Sequence, residues 1–197
     1  MLRKVVLMIA EISKVDMMKN NCDESTINVW CMNLKDNRDK DQNKEIDKKF
    51  NTCIENHLVA IGWGVENPDL NWEEYKRFAQ EYYGSDKRSA RSFLYAVNQM
   101  EAIKPGDLIW SKNPKSKEYY IFRVCESVRN ETNIEMNRVD IGSFCEVDSY
   151  CRIRSKEYLP KGITWRNLIS RTALRPVRNL AVAQKTKEYF DEHAISF

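Results

Sequence analysis

Between Leu58 and Val128 the chain alternates two kinds of apolar pattern, and this alternation limits its fold more than any other feature. Short runs, Leu58 to Trp63 and Leu108-Ile109-Trp110, have the length and composition of buried strands. Between them Trp72, Tyr75, Phe78, Ala79 and Tyr82 fall at helical spacing. Ala90, Phe93, Leu94, Val97 and Met100 then mark the inner face of a second helix. The two strand-like runs end in Trp63 and Trp110, and an earlier one, Ile27-Asn28-Val29-Trp30, ends in a third tryptophan. Short strands mixed with helices predict an α+β fold, a curved and mostly antiparallel β-barrel flanked by helices. Strand ends carrying flat rings are how a small barrel builds a slot for a planar ligand. Trp30, Trp63 and Trp110 are its expected walls, with Tyr119 or Tyr120 nearby.

Punctuation supplies the rest of the element plan. Leu2, Val5, Val6, Ile9, Ile12 and Val15 form a helical stripe, so residues 1–25 read as an appended N-terminal helix and linker before a domain over 26–197. The charged connection from Lys35 to Lys49 ends in a helix with Ile46, Phe50 and Cys53 or Ile54 on one face. Asp69 or Asn71 caps the helix through Tyr82, and Ser89 caps the next. Lys104-Pro105-Gly106-Asp107 is a turn. It opens strands at 108–111 and 119–128, which a basic loop at 113–117 joins. One bent strand or two short ones cover 139–154. Thr164 caps a brief helix, and Asn179 caps a last one with Leu180, Ala183 and Phe190 inward.

The 197 residues are 42% hydrophobic, enough for one well-filled core, and 31% charged with a mean hydropathy of −0.64, which predicts a water-soluble chain. No apolar run nears the ~20 residues of a membrane helix, and Val5 to Ala10 is too short for a leader core. A cytoplasmic location without membrane contact is the expectation. The six cysteines have no C-x-x-C spacing and the two histidines, His57 and His193, are far apart, so reduced thiols acting as small apolar side chains are expected, and no metal or other cofactor. Residues 151–197 hold ten Lys and Arg against four acids, whereas the whole chain is only +3. A basic third on a slightly acidic remainder suits nucleic acid, or is an ordinary solvated surface.

A base extruded from a duplex loses its stacking partners, and an aromatic face returns about 1–3 kcal/mol. Polar groups must then read the base edge. Asn33, Ser111, Asn113, Asp107 and the backbone of Gly62 and Gly64 are the candidates, although a turn role suits Asp107 better and a strand bend suits the two glycines equally well. Lys112, Lys115 and Lys117 beside Trp110, Arg88 and Arg91 on the central helix, and Arg152, Arg154, Arg166, Arg171 and Arg175 are candidates for phosphate contacts. Pro68-Asp69 with Glu74-Tyr75-Lys76 superficially matches a nuclease pattern, but that chemistry needs acids on adjacent strands, and these fall on one helix. No hydrolase, Walker, zincin or dinucleotide motif occurs, so a binding protein is expected and not an enzyme.

The order Ile61-Gly62-Trp63-Gly64, Asp69-Leu70, Met100, Gly106-Asp107 and the strand at 119–128 resembles PUA-like domains of the EVE type, relatives of the YTH readers of methylated RNA. Leu159-Pro160, Arg166-Asn167-Leu168 and Arg171 to Arg175 resemble the end of those domains, so the resemblance covers roughly 27–178. It implies a small mixed α/β barrel that accommodates a flipped, modified base of DNA, such as 5-methylcytosine. It also implies a place in a restriction or phage-defence system, with a nuclease or NTPase in a partner or a further domain. An RNA reader of the same fold is the alternative within binding. A protein-interaction or regulatory domain without a nucleic-acid ligand is the alternative from another class.

Overall fold

The central strands of this protein send alternate side chains to two covered faces, and that explains why Leu108-Ile109-Trp110 and Tyr119-Tyr120-Ile121-Phe122 read as unbroken apolar runs. The computed structural model describes residues 27–34, 47–64, 70–83, 87–130, 136, 138–164 and 173–197. The stripe at 2–15, the residues Ile46, Asp69, Arg166 and Arg171, and the short helix expected after Thr164 lie outside them. In chain order the elements are β1 (Val29–Met32), α1 (Lys48–Glu55), β2 (Leu58–Ile61), α2 (Trp72–Tyr83), α3 (Lys87–Glu101), β3 (Leu108–Lys112), β4 (Tyr119–Val124), β5 (Ser143–Ile153), β6 (Leu174–Pro176), α4 (Leu180–His193) and β7 (Ile195–Ser196). A 3-10 turn, Lys156–Tyr158, follows β5.

The strands form one seven-stranded mixed sheet in the order β2-β5-β4-β3-β1-β6, with β7 paired to β5. Among the described strands β1 and β3 run parallel, and the other pairings are antiparallel. The sheet curls until β2, at one end of the order, touches β1 near the other. A register shift at Arg123/Val124 bends β5, so 143–153 is one long bent strand. The expected α+β class and curled sheet are therefore present.

Two apolar cores lie on the two faces. Trp30, Met32, Ile109, Tyr120 and Phe122 face the first, which is filled by Phe50 and Cys53 of α1, Tyr75 and Ala79 of α2, and Phe93, Ala96, Val97 and Met100 of α3. Cys31, Leu108, Trp110, Tyr119, Ile121, Cys151 and Ile153 face the second, which Ile163 and the α4 residues Val182 and Phe190 cover.

Several element details differ from the sequence expectation. Asn71 caps α2 in a reciprocal box: its Oδ1 accepts from Glu74 N–H at 3.0 Å and Glu74 Oε2 accepts from Asn71 N–H at 3.0 Å. Helix α3 starts at Lys87, so Ser89 lies inside it and is no cap. Leu94 is exposed, because Phe93, Ala96, Val97 and Met100 already make the buried stripe. Asn179 does cap α4, accepting from Val182 N–H at 3.2 Å, but Leu180 is 83% exposed and Val182, Thr186 and Phe190 point inward. Strand β4 stops at Val124, four residues short of the expected end, and Arg129 bridges to Phe144 instead. Among the described residues no helix is long and apolar enough to cross a membrane.

Candidate functional site

A ring can stack on a ligand only if one of its faces reaches solvent, and this condition sorts the tryptophans. Trp110 is 1% exposed, and its Nε1 donates to Thr186 Oγ1 of α4 at 3.0 Å. Trp30 is 5% exposed, and its Nε1 donates to Asp107 Oδ2 at 2.8 Å. They also face opposite ways. In the parallel β1–β3 pair Trp110 aligns with Cys31, and Trp30 with Ile109. Side chains alternate along a strand, so this register puts the two indoles on different faces of the sheet. The expected slot walled jointly by Trp30, Trp63 and Trp110 is thus not formed. Tyr119 and Tyr120, neighbours on β4, are divided between the two cores by the same alternation, and both are buried.

The polar candidates divide as well. Asp107 is a buried hub: it also accepts from Asn28 N–H at 2.9 Å and Lys104 N–H at 3.1 Å, and so ties the turn to β1. Asn113 Oδ1 accepts from Lys115 N–H at 2.8 Å and Ser116 N–H at 2.9 Å, which organises the β3–β4 loop. Ser111 is buried opposite Tyr120, and among the described residues its hydroxyl has no hydrogen-bond partner. Asn33 is half-buried beyond the end of β1, its N–H donating to Ala173 C=O at 2.8 Å.

Trp63 is different. It is half-buried just past the end of β2, and its backbone is left-handed, with φ at +67°. That conformation costs an L-residue with a Cβ on the order of 1–2 kcal/mol, so surrounding contacts must hold it. Its N–H donates to Asp140 Oδ1 at 3.1 Å, and its C=O accepts from Tyr75 Oη at 3.1 Å. Asp140 is itself left-handed, at +58°, and its C=O accepts from Lys49 Nζ at 2.8 Å. Lys49 is only 1% exposed. Close backbone approach explains the flanking glycines. A Cβ on Gly62 would lie 2.4 Å from Asp140 Oδ2, and one on Gly142 would lie 2.5 Å from Trp63 C=O.

The Trp63 ring meets Phe93 edge-on at 5.9 Å between centroids. Tyr75 links it to a second half-buried indole, Trp72, which stacks on Tyr75 at 5.5 Å. Trp72 Nε1 donates to Glu101 Oε1 at 2.8 Å, and Lys76 Nζ lies 5.7 Å from the Trp72 ring centre. The hydrogen bonds from Lys76 and then Trp72 lower the Glu101 pKa below the ordinary carboxylate value. Trp63, Trp72, Tyr75 and Phe93 therefore make an aromatic shelf where the end of β2 meets α2 and α3. Among the described tryptophans Trp63 and Trp72 are half-buried, whereas Trp30 and Trp110 are buried. By sequence Trp72 and Tyr75 hold only helix positions, and no role is assigned to Lys49, Asp140 and Gly142. The Asp140-Ile141-Gly142 triplet ahead of a strand is a turn signature that could have marked the last two. A buried lysine has no such sequence mark.

The basic candidates gather elsewhere. Lys112, Lys115, Lys117, Arg152 and Arg154 are all exposed around the β3–β4 hairpin and the end of β5. Lys112 Nζ lies 5.1 Å from the Tyr119 ring centre, Lys117 Nζ donates to Pro114 C=O, and Arg152 donates to Glu118 Oε1 at 2.8 Å. Ile61 pairs with Ser143 at the start of β5, whereas Tyr120 pairs with Arg152 near its end. Hairpin and shelf are thus at opposite ends of β5, at most ~33 Å apart along the strand. Inside the curl the start of α1 reaches towards both: Asp47 pairs with Lys115 at 3.7 Å, and Lys49 holds Asp140. Arg88 lies in the first turn of α3, Arg91 is exposed on it, and Arg175 is half-buried on β6.

Burial pushes the Cys53, Cys145 and Cys151 thiols up to about 12 and Cys31 up to about 11, so these four stay protonated at neutral pH and act as apolar side chains. No family model, curated protein or solved structure matches this chain.

Proposed function

We propose that this chain is a nucleic-acid-binding module of the PUA-like, EVE type that receives a flipped, modified base of DNA against the Trp63 indole. The observation that carries the reading is the Trp63 backbone, held left-handed by hydrogen bonds on both sides in a residue that is only half-buried. Trp72 adds a second accessible indole on the same shelf, and the Lys112–Lys117 and Arg152–Arg154 cluster offers phosphate contacts at the far end of β5. The order of sequence words shared with EVE-type domains supports the same reading and adds a restriction or phage-defence setting. The cutting or motor activity would then belong to a partner or to a further domain.

The test is a binding panel of matched duplexes carrying cytosine, 5-methylcytosine, 5-hydroxymethylcytosine or N6-methyladenine, with RNA counterparts, each titrated against salt. Preference for one modified DNA and a log–log salt slope of several units is the expected result, at about 0.9 per phosphate contacted. Preference for RNA would move the module to the YTH-like alternative. A flat salt response with no base preference would overturn both. It would favour a protein-interaction domain, to which the exposed Phe78, Tyr82, Leu94 and Tyr95 of α2 and α3 are suited.

A further inference from the structure

Trp63 owes its position to three other elements. Tyr75 of α2 holds its carbonyl, Asp140 of the turn before β5 holds its N–H, and Lys49 of α1 holds Asp140 from behind. Asp140 and Lys49 are both buried, so these polar groups are fixed, and a fixed acceptor can sustain a conformation that the isolated backbone disfavours. The contact is also sterically tight, since the Asp140 carboxylate occupies the space that a side chain at position 62 would need.

We propose that Asp140, braced by Lys49, is the positioning residue that sets how the Trp63 indole is presented. Its value for recognition rests on the reading of Trp63 as a stacking surface, but the positioning itself is a property of the unliganded protein. The carboxylate fixes the Trp63 amide, the amide fixes φ, and φ fixes the direction in which Cβ leaves the chain. A pocket ring displaced by a fraction of an ångström loses its facing contact, so support for the ring matters as much as the ring. On this account the shelf is specified jointly by α1, the turn before β5 and α2, although none of the three supplies the Trp63 side chain.

The experiment uses the full chain labelled with 5-fluorotryptophan, with the Trp63 resonance assigned from Trp63→Phe. Asp140→Gly is the principal variant, because glycine accepts the left-handed φ of +58° without a side-chain penalty while removing the acceptor. The expected result is a shifted or broadened Trp63 resonance and easier quenching of its fluorescence. The Trp30 and Trp110 resonances should stay in place and report an intact core. Asp140→Asn keeps an acceptor oxygen and tolerates the same φ, so it should restore the Trp63 resonance. Gly62→Ala should displace Trp63 in the wild-type background and do so less in Asp140→Gly, where the clashing carboxylate is gone. This coupling can be read by thermal melts even if one single variant is poorly folded.

An unmoved Trp63 resonance in Asp140→Gly, or equal effects of Gly62→Ala in both backgrounds, would overturn the positioning role. If Trp63→Ala still abolished preference for a 5-methylcytosine duplex, the stacking reading would survive that failure. Conversely, a displaced Trp63 resonance in a protein whose wild type binds no oligonucleotide would uphold the clasp and sink the stacking reading. Where both hold, affinity of Asp140→Gly for the preferred duplex should fall about tenfold, comparable to one weakened stacking contact.

Discussion

Trp110 and Trp63 close apolar runs that look alike in the chain, yet the fold uses them in opposite ways. Trp110 ends up between the sheet and α4 with its one polar atom hydrogen-bonded to Thr186. Trp63 lies past the sheet, is itself left-handed, and stays half-buried. Trp110 sits inside β3 and is covered on both sides, whereas Trp63 comes two residues after the last paired residue of β2. The lesson is that an aromatic at the end of an apolar run is ambiguous until the last paired residue is known. Within the ladder the ring belongs to whichever core its face meets; beyond it the backbone can redirect the ring.

The contrast breaks most visibly at Trp110. Trp110→Ala should lower unfolding stability by about 3–5 kcal/mol, because it leaves a cavity in a covered core. Urea unfolding would measure this, and a loss under ~1 kcal/mol would show the indole to be dispensable. Thr186→Val keeps the shape but strands the Trp110 Nε1–H, so a cost of about 1–3 kcal/mol is expected in the same assay. Trp63→Ala should leave stability far closer to wild type than Trp110→Ala, while cutting affinity for the preferred modified duplex by about 1–3 kcal/mol. Titration calorimetry beside a melt separates these outcomes. If the melt collapses and binding by the folded fraction is normal, Trp63 is core.

Smaller effects sharpen the comparison between hairpin and shelf. Lys115→Ala should weaken modified and unmodified duplexes alike and reduce the salt slope by about 1, with stability altered by no more than about 1 kcal/mol. An unchanged slope would place the phosphates elsewhere. The smallest effect belongs to Glu101, whose hydrogen bonds from Lys76 and Trp72 depress its pKa. A depressed carboxylate contributes stability that is present above its unfolded value and fades as pH falls through the folded one. Melts taken from pH 7 down through the ordinary value of 4.5 should therefore show a slightly shallower acid loss in Glu101→Gln than in wild type. Identical profiles would mean that the exposed Glu101–Lys76 pair contributes nothing.

Legibility followed the range of the interaction. The helical stripes at 72–82 and 93–100, the Asn71 and Asn179 caps and the turn at 104–107 were readable, because they depend on groups within one or two turns of each other. Leu94 and Leu180 were misplaced on helices that were otherwise correctly read, because the edge of an apolar stripe is decided by what packs against it. At the candidate site Trp63 was readable as an aromatic at a strand end, whereas Gly62, read as room for a ligand or as a strand bend, makes room for the Asp140 carboxylate. The supports of Trp63 were not readable. Asp140 lies 77 residues from Trp63, and Lys49 lies 91 from Asp140. A charged residue on the polar margin of a short helix looks like a solvated one until its partner carbonyl is in place.

By itself the sequence determined the local grammar of this protein. Periods of two and of 3.6, caps and turn residues act over a few residues through steric and hydrogen-bonding rules that need no partner. Which face each strand residue meets was a tertiary decision. In the parallel β1–β3 pair a one-residue difference in register would have placed Trp110 beside Trp30 and not beside Cys31. The opening of Trp63 was likewise settled by the curl of the sheet, which brings α1, α2 and the turn before β5 to one point. Only there do a buried ammonium, a carboxylate and a phenol combine to hold a backbone angle that its own residue would not choose.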